Sequence, residues 1–157
     1  HAWAIRAAEH GKHILCEKPM ALNAFETQEM IQGAQAHKVL LMEAFMYRFH
    51  PQFARVQELI AQGTIGEVRI IRSAFCFFLN RPGDIRRNKD LGGGALMDIG
   101  CYCVNMARWV AGTEPTEVQG KAIFGKTGVD ETITGILRFP KDLLAVFDAS
   151  FQADYRE

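Results

Sequence analysis

The sequence predicts an α/β fold in its first part, followed by an α+β domain with a mostly antiparallel open sheet. Short apolar strands alternate with amphipathic helices up to about residue 46, which is typical of a parallel sheet with helices packed on its faces. Three strand-like runs then follow one another near the end of the chain, joined by short connections, which indicates antiparallel pairing. The 157 residues, 48% hydrophobic and 23% charged, have the composition of an ordinary globular protein.

The first part alternates two helices with two strands. HAWAIRAAEHGKH predicts a helix that stops at Gly11, and HILCE predicts a strand that is too short and too apolar to be half-exposed, so we expect it to be buried. Asn23 is a suitable N-cap for a second helix over NAFETQEMIQGAQAHK, and KVLLMEAF predicts a second short strand. The apolar faces of the two helices carry Trp3, Ala4, Ala7 and Ala8 in the first, and Phe25, Met30, Ile31 and Ala34 in the second.

The second part begins with an amphipathic helix over HPQFARVQELIAQGTIG and a long strand over EVRIIRSAFCFFL. A polar loop and the run Gly92-Gly93-Gly94 lead into a mostly apolar helix, ALMDIGCYCVNMARWVAG, which we expect to be buried. The last three strands, EVQGKAIFG, TITGILRFP and LLAVFDASF, alternate with period two, so each should turn one face to a core. The expected core faces are Val118, Gly120, Ala122 and Phe124; Ile133, Leu137 and Phe139; and Leu143, Ala145, Phe147, Ala149 and Phe151.

Charge and cysteine content narrow the class of partner. Eighteen basic and eighteen acidic residues cancel, so no overall field would hold a nucleic acid or an anionic membrane, and we expect a small-molecule partner. Cys16, Cys76, Cys101 and Cys103 form no Cys-x-x-Cys pair, which favours buried thiols in a reducing compartment over disulfides. Cys101 and Cys103 could be two zinc ligands, but no second pair completes a metal site. No apolar run approaches the roughly 20 residues of a membrane span.

The ends of the sequence suggest an internal part of a longer protein. The chain begins at His1 within a predicted helix and stops at FQADYRE, just after a strand-like run. With the true N-terminus out of view, the lack of a targeting segment says nothing about localisation. We expect a cytoplasmic protein, with the periplasm as the alternative.

Glu17-Lys18-Pro19 stands at the carboxyl end of the first apolar strand. Ligands of open α/β sheets bind outside this end of the strands, and the proline fixes the direction in which the chain leaves. A partly desolvated Lys18 would have its pKa lowered from about 10.4 towards neutrality and could serve as an acid or base. The alternative is a surface lysine in a strand-to-helix loop.

Four polar or aromatic residues, Asp98, Tyr102, Asn105 and Trp109, recur along one face of the apolar helix. Polar groups on a buried helix need partners or a cavity. A carboxylate and a phenol one turn apart could share a proton path or bind two neighbouring hydroxyls, and the preceding glycines would let the backbone approach a ligand closely. Each residue taken alone also fits a structural role.

The polar loop is basic, with Arg81, Arg86, Arg87 and Lys89, and Arg48 lies upstream. Most of these side chains fit a solvated loop, and one arginine on a cofactor phosphate or amide is the alternative. His13 and His50 are expected to be structural.

Three segments together resemble a known family. GKHILCEKP at 11–19, EAFMYRFHP at 43–51 and LGGGALMDIGCYCVN at 91–105 resemble, in order and spacing, the glucose-fructose oxidoreductase and inositol dehydrogenase (Gfo/Idh/MocA) family. The most similar branch is that of the dimeric dihydrodiol dehydrogenases and NADP-dependent xylose dehydrogenases. The resemblance implies that 1–45 is the C-terminal part of a Rossmann domain that binds NAD or NADP. It implies that 46–157 is an incomplete substrate and dimerisation domain, which forms a homodimer or larger homo-oligomer through its sheet.

The family's Gly-x-Gly-x-x-Gly loop and its last sheet strands are absent from the sequence. We therefore expect this chain alone to be inactive.

The resemblance also implies an activity, hydride transfer between a nicotinamide and a carbinol carbon of a sugar, polyol or trans-dihydrodiol. It identifies Lys18 as the catalytic lysine and Asp98 as the aspartate of the second motif. Tyr102 is identified as the residue that is histidine in inositol dehydrogenases and tyrosine in the glucose-fructose and dihydrodiol branches. Either Tyr102, with Lys18 as its neighbouring cation, or Lys18 itself would carry the proton, and the coupled pair would titrate together. The sequence does not separate these two mechanisms.

The binding roles follow in the same way. Glu17, Lys18 and Arg86 would lie at the cofactor, with Arg86 near its nicotinamide end. Asp98, Tyr102 and Asn105 would bind the substrate, and Asn105 stands where many relatives have aspartate. The alternatives are a non-catalytic relative that binds a nucleotide or a partner, and a sheet domain that serves only for dimerisation.

Overall fold

In the computed structural model, which describes residues 1–157, the chain divides into two units, His1–Met46 and Tyr47–Glu157. The first unit contains α1 (Ala2–Glu9), β1 (Ile14–Cys16), α2 (Ala24–Ala36) and β2 (Leu41–Glu43). The strands β1 and β2 pair in parallel, with Ile14 opposite Leu41 and Cys16 opposite Glu43. The predicted alternation of helix and parallel strand is confirmed.

Local interactions define the start of α2 and the end of α1 in the first unit. The side chain of Asn23 accepts a hydrogen bond from the Glu26 N–H over 2.9 Å, and the Glu26 carboxylate accepts one from the Leu22 N–H over 3.2 Å. This exchange closely resembles a capping box, in which a side chain at each end of the first turn satisfies a backbone amide. The chain leaves α1 through Gly11, whose φ of 67° lies in the left-handed region that favours glycine.

The two helices pack against each other through small or flexible side chains, namely Ala4, Ala8, Met30 and Ala34, all buried. Two predicted core residues are instead exposed, Trp3 at 79% and Phe25 at 71%. The prediction that β1 is buried is also wrong, because Leu15 is 66% exposed. Successive side chains of a strand point to opposite faces, and in this unit the face that carries Leu15 and Met42 is open.

The second unit is built on a four-stranded sheet. Its helices are α3 (Pro51–Ala61) and α4 (Cys101–Ala111), and its strands are β3 (Ile70–Cys76), β4 (Glu117–Phe124), β5 (Asp130–Phe139) and β6 (Leu143–Ser150). Short helical segments occupy Met46–Phe49 at the start of the unit, Ile85–Arg87 and Lys89–Leu91 in the polar loop, and Leu96–Gly100 before α4. The strand order is β3-β6-β5-β4, with β4, β5 and β6 antiparallel and β3 parallel to β6. The predicted mostly antiparallel sheet is therefore confirmed.

The core of the second unit lies between α4 and one face of this sheet. The helix buries a stripe at four-residue spacing, which consists of Ala95, Ile99, Cys103 and Ala107. Against it lie most residues of the core faces predicted for the last two strands, namely Leu137 and Phe139 on β5 and Leu143, Ala145, Phe147, Ala149 and, just past its end, Phe151 of β6, all buried. Ile133, the third predicted core residue of β5, is only partly buried. The rest of the helix is half-buried, so burial on all sides was too broad an expectation.

The core face predicted for β4 is wrong. Val118 and Phe124 are 64% and 67% exposed. The reason is position in the sheet, since α4 packs on β3 and β6 and β4 is the edge strand on the opposite side. An alternating pattern predicts which face of a strand is apolar, but not whether another element packs on that face.

The four cysteines are free thiols, of which Cys76 and Cys103 are buried as predicted. Burial raises the pKa of both thiols above its ordinary value. The structure brings no group of three or more His, Cys, Asp and Glu side chains together in a way that could hold a metal ion. None of its helices combines the length and apolar character needed to cross a membrane.

Candidate functional site

Lys18 lies in the first unit, directly after β1. The peptide bond between Lys18 and Pro19 is cis. The Met20 N–H donates to Glu43 Oε1 over 2.9 Å, which ties the loop to the end of β2. The Ala44 N–H donates to the Cys16 carbonyl over 2.8 Å and continues the pairing of the strands to the same edge. Lys18 is therefore carried on a loop whose backbone is fixed at the carboxyl end of a parallel strand pair.

Glu43 was not among the predicted site residues. It ends an apolar strand within EAFMYRFHP, and a carboxylate that ends a buried-type strand is a signal that sequence reasoning could have used. Glu17 is exposed, and its carboxylate accepts the Lys18 N–H over 3.3 Å. Its role at a cofactor stays a prediction.

Arg86 and Asp98 form an ion pair in the second unit. Arg86 Nε donates to Asp98 Oδ2 over 2.7 Å, and Arg86 Nη1 lies 3.2 Å from Asp84 Oδ1. Asp84 also accepts the backbone N–H of Arg86 over 3.0 Å, and this bond, followed by the guanidinium, lowers the pKa of that carboxyl. Burial alone would lower the pKa of Arg86, but the two carboxylates outweigh it and raise the pKa above its ordinary value. Asp98 thus faces a permanently charged partner.

The glycine run before α4 packs against the chain itself. A Cβ on Gly93 would lie 2.4 Å from the Arg86 carbonyl oxygen, and a Cβ on Gly94 would lie 2.1 Å from Asp130 Oδ1. Gly94 also has φ of 126°, which L side chains rarely adopt. These contacts within the chain account for Gly93 and Gly94, and the close approach of a ligand to them stays a prediction. Because Gly93 and Gly94 lack a side chain, the polar loop and Asp130 can pack directly against their backbone.

Asp98 lies in a π-helical turn, Leu96–Gly100, rather than in a continuous α-helix. The Asp98 N–H donates to the Gly94 carbonyl over 3.0 Å, and the Leu96 N–H donates to Asp130 Oδ2 over 2.7 Å. Single π turns are rare and occur frequently at functional sites. The apolar pattern of the sequence did not distinguish this turn from ordinary α-helix.

Tyr102 and Asn105 share a partner on the segment before α3. The Tyr47 hydroxyl donates to Asn105 Oδ1 over 2.5 Å, and the Tyr47 and Tyr102 rings lie 6.1 Å apart between centroids. Burial raises the pKa of Tyr47 to about 12, so this hydroxyl keeps its proton at neutral pH. Tyr47 was not predicted as a site residue, although it lies within the motif EAFMYRFHP.

The remaining member of the predicted face, Trp109, packs edge-on against Phe53 of α3 at 5.5 Å. Trp109 and Asn105 also line a polar cavity of about 210 Å³ together with Arg48. Tyr102, Asn105 and Trp109 therefore lie on one face of α4, as predicted, and that face meets aromatic side chains of the preceding segment.

Other predicted residues have structural contacts. Arg87 Nε lies 3.3 Å from Glu131 Oε1 and its Nη2 donates to the Leu79 carbonyl over 2.9 Å. His13 Nδ1 accepts the Leu40 N–H over 3.0 Å, and His50 Nδ1 accepts the Gln52 N–H over 3.2 Å at the start of α3, so both histidines are structural as expected.

A cleft of about 980 Å³ in the second unit lies between the polar loop and the turn after β4. Arg87 and Lys89 line it, whereas Asp98 and Tyr102 do not. We therefore do not assign it to the same site.

Two family models match the chain. Residues 1–45 match the model of an oxidoreductase family with an NAD-binding Rossmann fold, and residues 53–157 match the GFO/IDH/MocA C-terminal domain. Together the two models cover most of the chain.

Among curated proteins, trans-1,2-dihydrobenzene-1,2-diol dehydrogenase of Xenopus tropicalis is 42% identical over 147 residues, which cover 92% of this chain and 44% of that protein. D-xylose 1-dehydrogenase (NADP(+)) 2 of Haloferax volcanii is 40% identical over 150 residues, which cover 95% of this chain and 46% of that protein. The chain thus spans less than half the length of these relatives.

Solved structures match over almost the whole chain. Aldose-aldose oxidoreductase from Caulobacter crescentus, complexed with glycerol, has a TM-score of 0.92 at 31% identity over 98% of this chain and 48% of its own. Levoglucosan dehydrogenase, in complex with NADH and levoglucosan, has a TM-score of 0.88 at 31% identity over 96% of this chain and 44% of its own.

Proposed function

The chain belongs to the GFO/IDH/MocA oxidoreductase family, and we propose that the complete protein transfers hydride between NAD or NADP and a carbinol carbon of a sugar, polyol or trans-dihydrodiol. The observation that carries this proposal is the ordered set on one helix. Asp98 is held by Arg86 over 2.7 Å, and Tyr102 and Asn105 follow on the face that meets Tyr47. A carboxylate, a phenol and an amide in succession suit a substrate with several hydroxyl groups.

The first unit fits a dinucleotide. It supplies a parallel strand pair, and ligands of open α/β sheets bind outside the carboxyl ends of such strands. The loop at that end carries Glu17 and Lys18 and is fixed by the bond from Met20 to Glu43. We propose that 1–45 is the C-terminal part of the cofactor domain and 46–157 the substrate and dimerisation domain. When bound, the nicotinamide accepts or supplies hydride.

Proton transfer falls to Tyr102 or Lys18. One of the two takes the hydroxyl proton as hydride leaves the carbinol carbon, and returns it in the reverse direction. Tyr47 is unsuited to this step, because burial raises its pKa to about 12 and its hydroxyl already donates to Asn105. That bond uses one acceptor position of Asn105 Oδ1, and the amide nitrogen can donate to a substrate hydroxyl.

Asp98 would accept a hydrogen bond from a second substrate hydroxyl. Arg86 supports this role, because the ion pair fixes the orientation of the carboxylate. The same arginine remains our proposal for the nicotinamide end of the cofactor site. Its bonds to Asp84 and Asp98 favour a positioning role over binding of a phosphate.

We further propose that the open face of the sheet forms a homodimer or larger homo-oligomer. This face lies opposite α4 and carries Ile70, Ile136 and Leu144, which are 51%, 44% and 40% exposed. The free thiols fit a reducing compartment such as the cytoplasm, and the periplasm is the alternative.

The test is a turnover assay of the complete protein with NAD or NADP against aldoses, polyols and trans-dihydrodiols. We expect reduction of at least one cofactor by at least one substrate, and a loss of roughly 100-fold or more in Lys18→Met, as is typical when an acid-base group is removed. Nucleotide binding without turnover on any substrate would instead support the alternative, a non-catalytic relative.

A further inference from the structure

We propose that Asp130 is a positioning residue that fixes the orientation of Asp98 through the glycine run. The role deepens the proposed function and rests on it. Asp130 is the first residue of β5, and thirty-four positions separate it from Leu96, whose N–H it accepts over 2.7 Å. It therefore links the start of an inner strand of the sheet to the start of the helical segment that carries Asp98.

The helical segment has no cap of its own. Its N-cap residue, Ala95, makes no side-chain hydrogen bond, whereas α2 and α3 are capped by Asn23 and His50. The first amides of a helix need acceptors, and a carboxylate is a strong one. Asp130 supplies this acceptor from a different element, so the start of the helix is anchored to the sheet.

Gly94 joins this anchor to Asp98. Three hydrogen bonds close a ring: the Gly94 N–H donates to the Arg86 carbonyl over 2.8 Å, the Asp98 N–H donates to the Gly94 carbonyl over 3.0 Å, and Arg86 Nε donates to Asp98 Oδ2 over 2.7 Å. Asp130 Oδ1 lies against Gly94 on the side where another residue would have its Cβ, 2.1 Å from that position. A displacement of Asp130 therefore moves Gly94, and with it both members of the ion pair.

This arrangement also has an energetic cost. Burial raises the pKa of Asp130 above its ordinary value, although the amides of Leu96 and its neighbours act in the opposite direction. Half-burying a carboxylate is unfavourable unless the hydrogen bonds that it accepts compensate for the lost hydration. Asp130 accepts its hydrogen bond from the first amide of the turn that carries Asp98, which suits a positioning role.

The test compares Asp130→Asn and Asp130→Ala with Thr134→Ala in the complete protein. Thr134 lies on the same strand and donates to the Phe147 carbonyl over 3.1 Å, away from the ring, so it controls for loss of a β5 hydrogen bond. We expect Asp130→Ala to lower kcat roughly 10- to 100-fold, the order expected when a reacting geometry shifts by about 1 Å. We expect the KM for the cofactor to change less than about twofold, and Asp130→Asn, which keeps one acceptor oxygen, to recover part of the loss.

A second readout keeps the inference separate from the proposed activity. The Arg86 Nε–H resonance, assigned in a 15N NMR spectrum by its loss in Arg86→Lys, should be protected from exchange in the wild type and in Thr134→Ala, but not in Asp130→Ala. If the wild type shows no turnover but this pattern holds, the proposed function fails and the positioning of Asp98 stands. If folded Asp130→Ala keeps the wild-type kcat and the protected resonance, the inference is overturned.

Discussion

Arg86 Nε and Asp98 Oδ2 are joined by a 2.7 Å hydrogen bond that bridges the loop before the glycine run and the π turn after it. The pair is partly shielded, with Asp98 the less exposed partner. We predict that Arg86→Gln lowers kcat roughly 10- to 100-fold, because the carboxylate loses the partner that orients it.

The matched control is Arg55→Gln. Arg55 pairs with Glu58 over 2.8 Å on the exposed surface of α3, where an ion pair contributes about 0–1 kcal/mol. The measurement is kcat of both variants from steady-state kinetics. Equal kcat values would show that loss of the Arg86 pair affects turnover no more than loss of a surface ion pair.

The hydrogen bond from the Met20 N–H to Glu43 should also affect turnover, because it fixes the loop that carries Lys18. Glu43→Ala should free the loop after β1 and lower kcat roughly tenfold or more, because Lys18 would no longer be held in one orientation. Glu43→Gln keeps a carbonyl oxygen in the same place and should retain most of the wild-type rate. The comparison of kcat for the two variants is the measurement, and an inactive Gln variant beside an active Ala variant would rule out this explanation.

Tyr47 predicts a pH effect on stability. Its pKa is raised from 10.0 to about 12 in the folded protein, so folding favours the neutral phenol. The stabilisation is complete below pH 10 and is lost as the pH rises from 10 towards about 12. Urea unfolding should therefore show the wild type losing stability relative to Tyr47→Phe across this interval. A constant difference between the two proteins would contradict the assigned pKa.

Gly135 tests the packing of the sheet. A Cβ at this position would lie 2.3 Å from the Phe147 ring, within the core face of β5 and β6, so Gly135→Ala should lower the free energy of unfolding by about 1–3 kcal/mol. Its cross-strand partner Gly120 offers the control, because a Cβ added there would lie 3.5 Å from the Thr134 carbonyl oxygen, an ordinary contact distance. Denaturant unfolding of the two variants should differ, and equal losses would mean that Phe147 moves aside without cost.

Local features of the fold were predictable from the sequence. Asn23 caps a helix through atoms three residues away, and alternation along LLAVFDASF gives the buried face that ends at Phe151, because both depend on neighbours in the chain. The exposure of Val118 was not predictable in this way. It depends on the order of the strands, which the alternation of a single strand does not contain.

The motifs predicted the candidate site residues, but not the contacts that fix the position of these residues. Asp98, Tyr102 and Asn105 lie on elements that the sequence indicates, whereas Glu43 and Asp130 support the site across large separations in sequence. The sequence predicted that the glycine run lies close to a ligand, because glycine lets either a ligand or another part of the protein approach the backbone. The contact of Gly94 with Asp130 is an approach of the second kind.

Hydride transfer from a carbinol carbon is tested most directly by following deuterium. The complete protein would be incubated with oxidised cofactor and a substrate deuterated at that carbon, and the reduced nicotinamide examined by NMR. We predict that deuterium appears at C4 of the nicotinamide, at a rate that falls by roughly 100-fold or more in Lys18→Met. Reduced cofactor without the label, or labelled cofactor formed equally fast by Lys18→Met, would contradict the mechanism proposed for this chain.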